Sequence, residues 1–334
     1  MPSIPTPAAD PDPSHRLRLA DIAAAPARIP PEFRDSPQYA CEPLAEVLGC
    51  GLTLKVETCN PIRSFKGRGA SVLVSRLLER AHEATRSPLV GASAGNWGQA
   101  LAYACRAAGW RLVLYAADSA NPLKVARMRA LGAEVRQAGK DFDAAKQHAE
   151  AFARERGWRM VADGLDVEAS LGAATIAVEL LAPGRAFDAV LVPLGNGALL
   201  TGMGRWIKAV APATRVIGVQ ATGADAMAQS WRSGRLVFPP QIDTIADGIG
   251  VRVPIAEAVA DMRTTVDDVV LVNDVALVAA MRLLHAHAGL VVEPSGAAGV
   301  AALVAAGSPW RGQRVATVVC GGNLTEAQMA AWLS

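Results

Sequence analysis

The sequence predicts an α/β protein with parallel sheets, and three observations lead there. Strand-like and helix-like runs alternate over residues 88–162 and again from 173 to 319, the pattern of βαβ units joined by right-handed crossovers. Of the 334 residues, 51% are hydrophobic, enough for two domains or for one chain folded twice through a shared sheet. Short Gly- and Asn-containing stretches stand where strand-like runs end and helix-like runs begin, the place where open parallel sheets bind ligands.

Taken in order, residues 1–13 are rich in Pro, Ala and Asp and lack the charged and apolar regions of a signal peptide. They read as a disordered lead-in. Residues 18–46 carry Pro26, Pro30, Pro31, Pro37 and Pro43 and read as loop with short helices. Residues 52–57 alternate apolar and polar and predict a strand. Ser64-Phe65-Lys66-Gly67-Arg68-Gly69-Ala70 follows, just before an apolar helix-like run at 72–78. Strands are then predicted at 89–92, 111–116, 133–136 and 158–162. Between them lie a helix running from the 93–98 turn through Ala108, and helices at 121–131 and 142–156, with Gly109 and Gly132 as stops. After Gly172 the pattern resumes with a helix at 173–181, a strand at 189–193 and a helix opened by residues 195–198. Strands at 216–220, 269–272 and 315–319 and helices at 274–288 and 295–306 complete the chain, with no internal repeat.

Composition narrows the function. A formal net charge of +2 without long basic runs argues against nucleic acid as a partner. No apolar stretch is long and clean enough to span a bilayer, and without a signal peptide the expected compartment is the cytoplasm. Cys41, Cys50, Cys59, Cys105 and Cys320 have no CxxC spacing, and His285 and His287 fall on different faces of a helix. No metal site is expected from either set.

The lysine stretch is the centre of the chemistry. A lysine beside glycines can bring its amine close to a bound group, and a lysine of lowered pKa attacks carbonyls. Read alone, Lys66 is first of all a surface lysine at a helix start. Gly195-Asn196-Gly197-Ala198-Leu199 turns from a strand into a helix, so its backbone N–H groups and the helix dipole form an anion cup suited to a phosphate ester. It is neither GxGxxG nor Walker A. Ser93-Ala94-Gly95-Asn96 offers a hydroxyl, an amide and backbone N–H groups to a carboxylate or a phenolic oxygen, although N-capping by Ser93 or Asn96 also accounts for it. Cys320 is a thiol at the end of a buried strand, or a small core residue. Together these are the parts a pyridoxal phosphate site requires.

With these residues in hand, the chain resembles the fold type II pyridoxal-phosphate enzymes, and within them the serine/threonine dehydratase family. The similarity runs from about Pro30 to the C-terminus. It rests on the Lys66 stretch, on Ser93-Ala94-Gly95-Asn96, on Gly195-Asn196-Gly197-Ala198-Leu199 and on Cys320-Gly321-Gly322-Asn323, in that order. The resemblance implies two α/β domains of the tryptophan synthase β-like architecture. A large cofactor domain would comprise residues 16–86 and 170–334, a small domain residues 87–169, and residues 1–15 the lead-in. It implies that pyridoxal 5'-phosphate is carried by Lys66 and packed by Phe65. The phosphate would be held by Gly195, Asn196, Gly197, Ala198 and Leu199, the ring oxygen oriented by Asn96, one ring face lined by Gly248, and the ring nitrogen met by Cys320. Ser93, Ala94, Gly95, Asn96 and Trp97 would hold the substrate carboxylate.

Departures refine the expectation. Racemases of this family carry a serine at the position of Ala94, and alanine cannot move a proton, which disfavours racemisation. The family's cation ligands are replaced by Gln220 and Ala226, so no metal is expected. Trp97 replaces a histidine or phenylalanine and would shape the substrate pocket. A neutral Cys320 thiol is a weak donor, so the cofactor would be a modest electron sink suited to losing a β-substituent. The expected activity is a dehydratase or ammonia-lyase that converts a β-hydroxy amino acid to a 2-oxo acid and ammonia, in a homodimer. A β- or γ-replacement synthase, which Gly218-Val219-Gln220-Ala221 resembles, a racemase and a non-catalytic cofactor-binding protein are the alternatives.

Overall fold

The computed structural model describes residues 10, 12–80, 86–93, 95–182, 184–304 and 309–334. Its strands are β1 (Gln38–Ala40), β2 (Gly51–Val56), β3 (Leu89–Ala92), β4 (Leu112–Ala116), β5 (Glu134–Gln137), β6 (Arg159–Val161), β7 (Ala189–Pro193), β8 (Arg215–Ala221), β9 (Asp268–Val272) and β10 (Arg314–Val319). The α-helices begin with α1 (Leu19–Ala24), α2 (Glu42–Leu48), α3 (Lys66–Arg80), α4 (Asn96–Ala107), α5 (Pro122–Ala130), α6 (Phe142–Arg156) and α7 (Val167–Leu181). They continue with α8 (Ala198–Val210), α9 (Ala226–Ser233), α10 (Ala256–Thr265), α11 (Asp274–Ala288), α12 (Pro294–Val304) and α13 (Glu326–Leu333).

The strands form two sheets. One has six strands in the order β1-β2-β10-β7-β8-β9, the other four in the order β5-β4-β3-β6. All pairings are parallel except that of β1 with β2. Burial follows from this: β3, β4 and β7 are buried at every position, as the apolar runs of a two-side-covered parallel sheet require.

Apart from the helix-like run at 72–78, which is the middle of α3 and begins six residues earlier at Lys66, the predicted strands and helices lie close to the observed ones, with three kinds of difference. The helix predicted at 173–181 starts six residues earlier, at Val167, because its buried polar positions, Glu168 and Ser170, interrupt the apolar pattern. Three helices, α9, α10 and α13, stand in stretches where the sequence pattern predicted no element. Among residues 18–46 the structure adds the short antiparallel edge strand β1, whose residues are half-buried or exposed and so carry no apolar signature. The last residues of the helix predicted at 295–306 lie outside the described residues.

The expected disordered lead-in is instead held where it is described. Arg205, 4% exposed, donates through Nη2 to the Asp12 carbonyl at 2.8 Å and through Nε to the Leu17 carbonyl at 3.0 Å, and pairs with Asp10. Arg16 Nε donates to Asp261 Oδ2 at 2.7 Å. A buried guanidinium needs acceptors, and Asp10, Asp12 and Leu17 supply them.

α7 packs against both α3 and α8. A Cβ at Gly172 would lie 2.5 Å from the Gly69 backbone, and one at Gly69 would lie 2.8 Å from Ala169 Cα. A Cβ at Gly67 would lie 2.2 Å from the Phe33 ring. This corrects the reading of the lysine stretch: these glycines do not clear a path for the amine. They let α3 approach α7 and Phe33 at backbone distance.

Candidate active site

Strand order decides which loops meet. β2, β10 and β7 are neighbours, and their carboxyl ends lead respectively to Lys66, to Cys320 and to residues 195–199. In the other sheet β3 and β6 are neighbours, and their carboxyl ends lead to residues 93–96 and to Asp163. Five loops therefore emerge at sheet ends of the kind that holds ligands. A groove of about 360 Å³ lined by Cys41, Leu52, Phe187 and Arg314 lies at the amino ends of β2 and β10, away from these loops.

Direct bonds tie the loops together. The Phe65 N–H donates to the Cys320 carbonyl at 3.1 Å, and Ser64 bridges Gly321. Lys66, the first residue of α3, places Nζ 2.6 Å from Asp163 Oδ2 and 4.7 Å from the centre of the Phe65 ring. Asn196 Nδ2 donates to the same Asp163 oxygen at 3.3 Å. Gly195 faces Gly248, whose carbonyl a Cβ at Gly195 would approach to 2.9 Å. Gly197, with φ +95°, is the N-cap of α8 and offers no side chain to it. The N–H groups of the first turn, with Ala198 and Leu199, are thus left to an outside acceptor.

Asn96, the first residue of α4, is fixed on both sides of its amide. Its Nδ2 donates to Glu293 Oε1 at 2.7 Å, and its Oδ1 accepts from Asn323 Nδ2 at 2.8 Å. Arg127 Nη1 donates to Asn323 Oδ1 at 2.8 Å, so α5 joins the same chain of bonds. Ser93 Oγ accepts the backbone N–H groups of Gly95 and Gly98 at 3.2 and 3.0 Å, which gives it the capping role that the sequence allowed. Trp97 is buried in the main core, and its Nε1 has no partner among the described residues. Ala94 lies outside the described residues. Gln220, one of the two positions compared with cation ligands, spends Oε1 on the Ala228 N–H at 2.9 Å and so caps α9; among the described residues no group of acidic, His and Cys side chains could hold a metal.

The residues fit pyridoxal phosphate on geometric grounds. Ser295 Oγ is buried without a partner among the described residues, and a Cβ at Gly248 would lie 2.6 Å from it. Only glycine leaves that face open. Cys320 Sγ lies 3.5 Å from the Ser295 carbonyl, and burial pushes the thiol pKa up, with the nearby Glu293 adding to the shift. The thiol is therefore neutral. A cup for an anion, an aromatic plane, an amide, a neutral thiol and an amine form a donor set matched to a phosphorylated pyridine aldehyde.

Glu293, Asp163 and Ser295 were missed in the sequence. Glu293 had a signal: a single carboxylate between the apolar run 290–292 and the helix start at Pro294. Burial pushes its carboxyl up to about 7, with Asp247 adding to the shift while Lys124, Asn323 and Asn96 oppose it. Sign and size follow by linkage. The folded state keeps a proton that the unfolded chain, at the ordinary 4.5, releases earlier. Stability from this group is therefore lost as pH rises from about 5 to 8, by about 3 kcal/mol in the cofactor-free protein. Glu293→Gln should remove that slope. Denaturant unfolding of both proteins at the two pH values checks it, and parallel slopes would refute the assignment.

Comparison with known proteins identifies the family. The family described as "Pyridoxal-phosphate dependent enzyme" matches residues 29–321. The chain is 31% identical over 315 residues to the L-threonine dehydratase catabolic TdcB of Staphylococcus aureus (strain N315), covering 93% of this chain and 90% of the relative. Among solved structures, the T.th. threonine deaminase aligns with a TM-score of 0.83 at 34% identity, covering 92% of this chain and 98% of that one. Maize serine racemase aligns with a TM-score of 0.86 at 27% identity, covering 93% and 95%.

Proposed function

The chain belongs to the pyridoxal-phosphate dependent enzymes, and we propose that it is a dehydratase that turns a β-hydroxy amino acid into a 2-oxo acid and ammonia. The observation that carries this reading is the position of Lys66. Its amine heads α3 among the loops that hold the phosphate cup, the ring partners and Asn96. The relatives named threonine dehydratase and threonine deaminase support the same reaction class.

When bound, the cofactor withdraws electrons from the substrate's α-carbon. Lys66 would hold the cofactor through Nζ, and the same atom, as a free amine, would take the substrate's α-proton. The N–H groups of residues 195–199 would hold the phosphate, Phe65 would pack the ring, and Gly248 would leave its face free. Asn96, aligned by Glu293 and Asn323, turns its amide to the ring oxygen. The backbone of residues 93–97 binds the substrate carboxylate. Ala94 cannot act as a second base, so one base serves the α-carbon and elimination is favoured over racemisation.

Incubation with L-serine, L-threonine and related β-hydroxy amino acids should give 2-oxo acid without any added nucleophile. Product that forms only with a second nucleophile would support the replacement reading instead, and loss of optical purity without 2-oxo acid the racemase reading. Cys320→Ser should stay within about ten- to a hundred-fold of wild-type kcat, the scale of one modest hydrogen bond. A larger loss would refute the weak-donor role. The reading includes a division into a large unit (16–86 with 170–334) and a small one (87–169), a cytoplasmic location and a homodimer. Light scattering of the purified protein tests the last.

A further inference from the structure

Asp163 stands against the amine that the dehydratase reading makes the base. Its Oδ2 lies 2.6 Å from Lys66 Nζ and accepts Asn196 Nδ2 at 3.3 Å. Its Oδ1 is buried with no hydrogen-bond partner among the described residues. The two side chains are only 15% and 14% exposed, so water screens the contact poorly. The loop is also pinned. Gly164 adopts φ +80°, and a Cβ there would lie 2.7 Å from Ile255 Cδ1 and 2.9 Å from Asn196 Cβ.

Elimination of a β-hydroxyl needs two proton movements, because hydroxide leaves poorly unless it is protonated. A proton must leave the α-carbon, and one must reach the departing oxygen. Lys66 accounts for the first. A carboxylate in contact with that lysine, with a second oxygen that no group among the described residues claims, accounts for the other.

The geometry points to Asp163 as a catalytic proton carrier that moves the α-proton from Lys66 to the departing β-oxygen. The inference rests on the dehydratase reading. Lys66 Nζ removes the proton as the Cα–H bond breaks, and Asp163 Oδ2 takes it from the resulting ammonium. A half-turn about Cβ–Cγ presents it on the side now occupied by Oδ1. The Cβ–O bond breaks with its electron pair going to oxygen, which takes the proton and leaves as water. Lys66 and Asp163 end as they began, amine and carboxylate, and no oxidant or further reactant is consumed.

A carboxylate that only anchored the lysine would matter equally for every substrate, whereas a proton carrier matters only where the leaving group needs a proton. Chloride needs none. Asp163→Asn in the holoenzyme should therefore lower kcat on L-serine or L-threonine by about a hundred-fold or more, the range of one acid–base group. On 3-chloro-L-alanine the loss should stay below about tenfold. Equal losses on both substrates, or no loss on either, would overturn the proposal while leaving the dehydratase reading intact. A wild type that releases 2-oxo acid from neither substrate overturns both. A second readout needs no turnover. In the cofactor-free protein, acetic anhydride should acylate Lys66 several-fold faster in Asp163→Asn, because an amide does not compensate the ammonium charge. Mass spectrometry of the Lys66 peptide measures this, and equal rates in the two proteins would overturn the contact on which the proposal stands.

Discussion

Lys66→Ala should abolish the visible colour of the bound cofactor and lower 2-oxo acid production at least about a thousand-fold, since it removes covalent attachment and the base together. Purified wild-type protein should be yellow, and borohydride reduction should fix the cofactor on the peptide that contains Lys66. An unmodified Lys66 peptide would end the assignment. Alanine at the first position of α3 is compatible with the helix, but it leaves Asp163 without its cation. Lys66→Arg separates the two effects. The guanidinium can still pair with Asp163 yet cannot form the covalent link, so activity should fall as far as in Lys66→Ala while thermal stability stays near wild type. Near wild-type deamination by either variant would refute the role of Lys66.

Arg68→Met should cost about 3–5 kcal/mol of stability, the scale set by removing one partner of a buried ion pair. Arg68 is 0% exposed. Its Nε and Nη2 each meet Glu57 at 2.8 Å, its Nη1 and Nη2 meet Glu179 at 2.6 and 2.9 Å, and Nη1 meets Thr175 at 2.9 Å. Lys55 pairs with Glu179 as well, so two cations balance two carboxylates between β2, α3 and α7. Methionine matches the stem but leaves Glu57, 1% exposed, without its guanidinium and with the Ser36 hydroxyl as a donor. Urea unfolding of the cofactor-free protein measures the loss, and a change under about 1 kcal/mol would refute the network. The same network sets an acid limit. Although burial opposes it, pairing with Arg68 and Lys55 holds the Glu179 carboxyl down at about 2, against an ordinary 4.5. A depressed carboxylate contributes stability that is complete above 4.5 and lost as pH falls toward 2, about 3 kcal/mol in all. In Arg68→Met the acid limb of the stability profile should flatten.

Arg68 also shows how the lysine stretch divides its work. The sequence marked Ser64 to Ala70 for chemistry, yet of these residues Lys66 is the one whose side-chain amine faces the site. Arg68 ties the helix to β2 and α7, while Gly67 and Gly69 admit Phe33 and α7. Local pattern cannot distinguish a glycine that frees space for a ligand from one that admits a neighbouring helix, because the neighbour comes from a hundred residues away. Helices α9, α10 and α13 were missed as well. α9 and α10 lie among Gly- and Pro-rich connections and are held by the residues they bury, whereas α13 buries none and starts at a Thr325–Gln328 capping box that the sequence carried.

By itself the sequence determined the α/β class, the strands from β2 onward, and four loops whose residue types match a phosphorylated pyridine aldehyde. All of these are written in short-range periodicity and in turn chemistry. Tertiary structure alone decided which loops meet. The order β2-β10-β7 brings the loops of Lys66, Cys320 and residues 195–199 side by side, and β3 beside β6 sets Asn96 and Asp163 at one end of the second sheet. Glu293 behind Asn96 and Asp163 against Lys66 follow from that order. A carboxylate's role depends on which distant amine or amide shares its buried surroundings, and spacing along the chain carries no record of that.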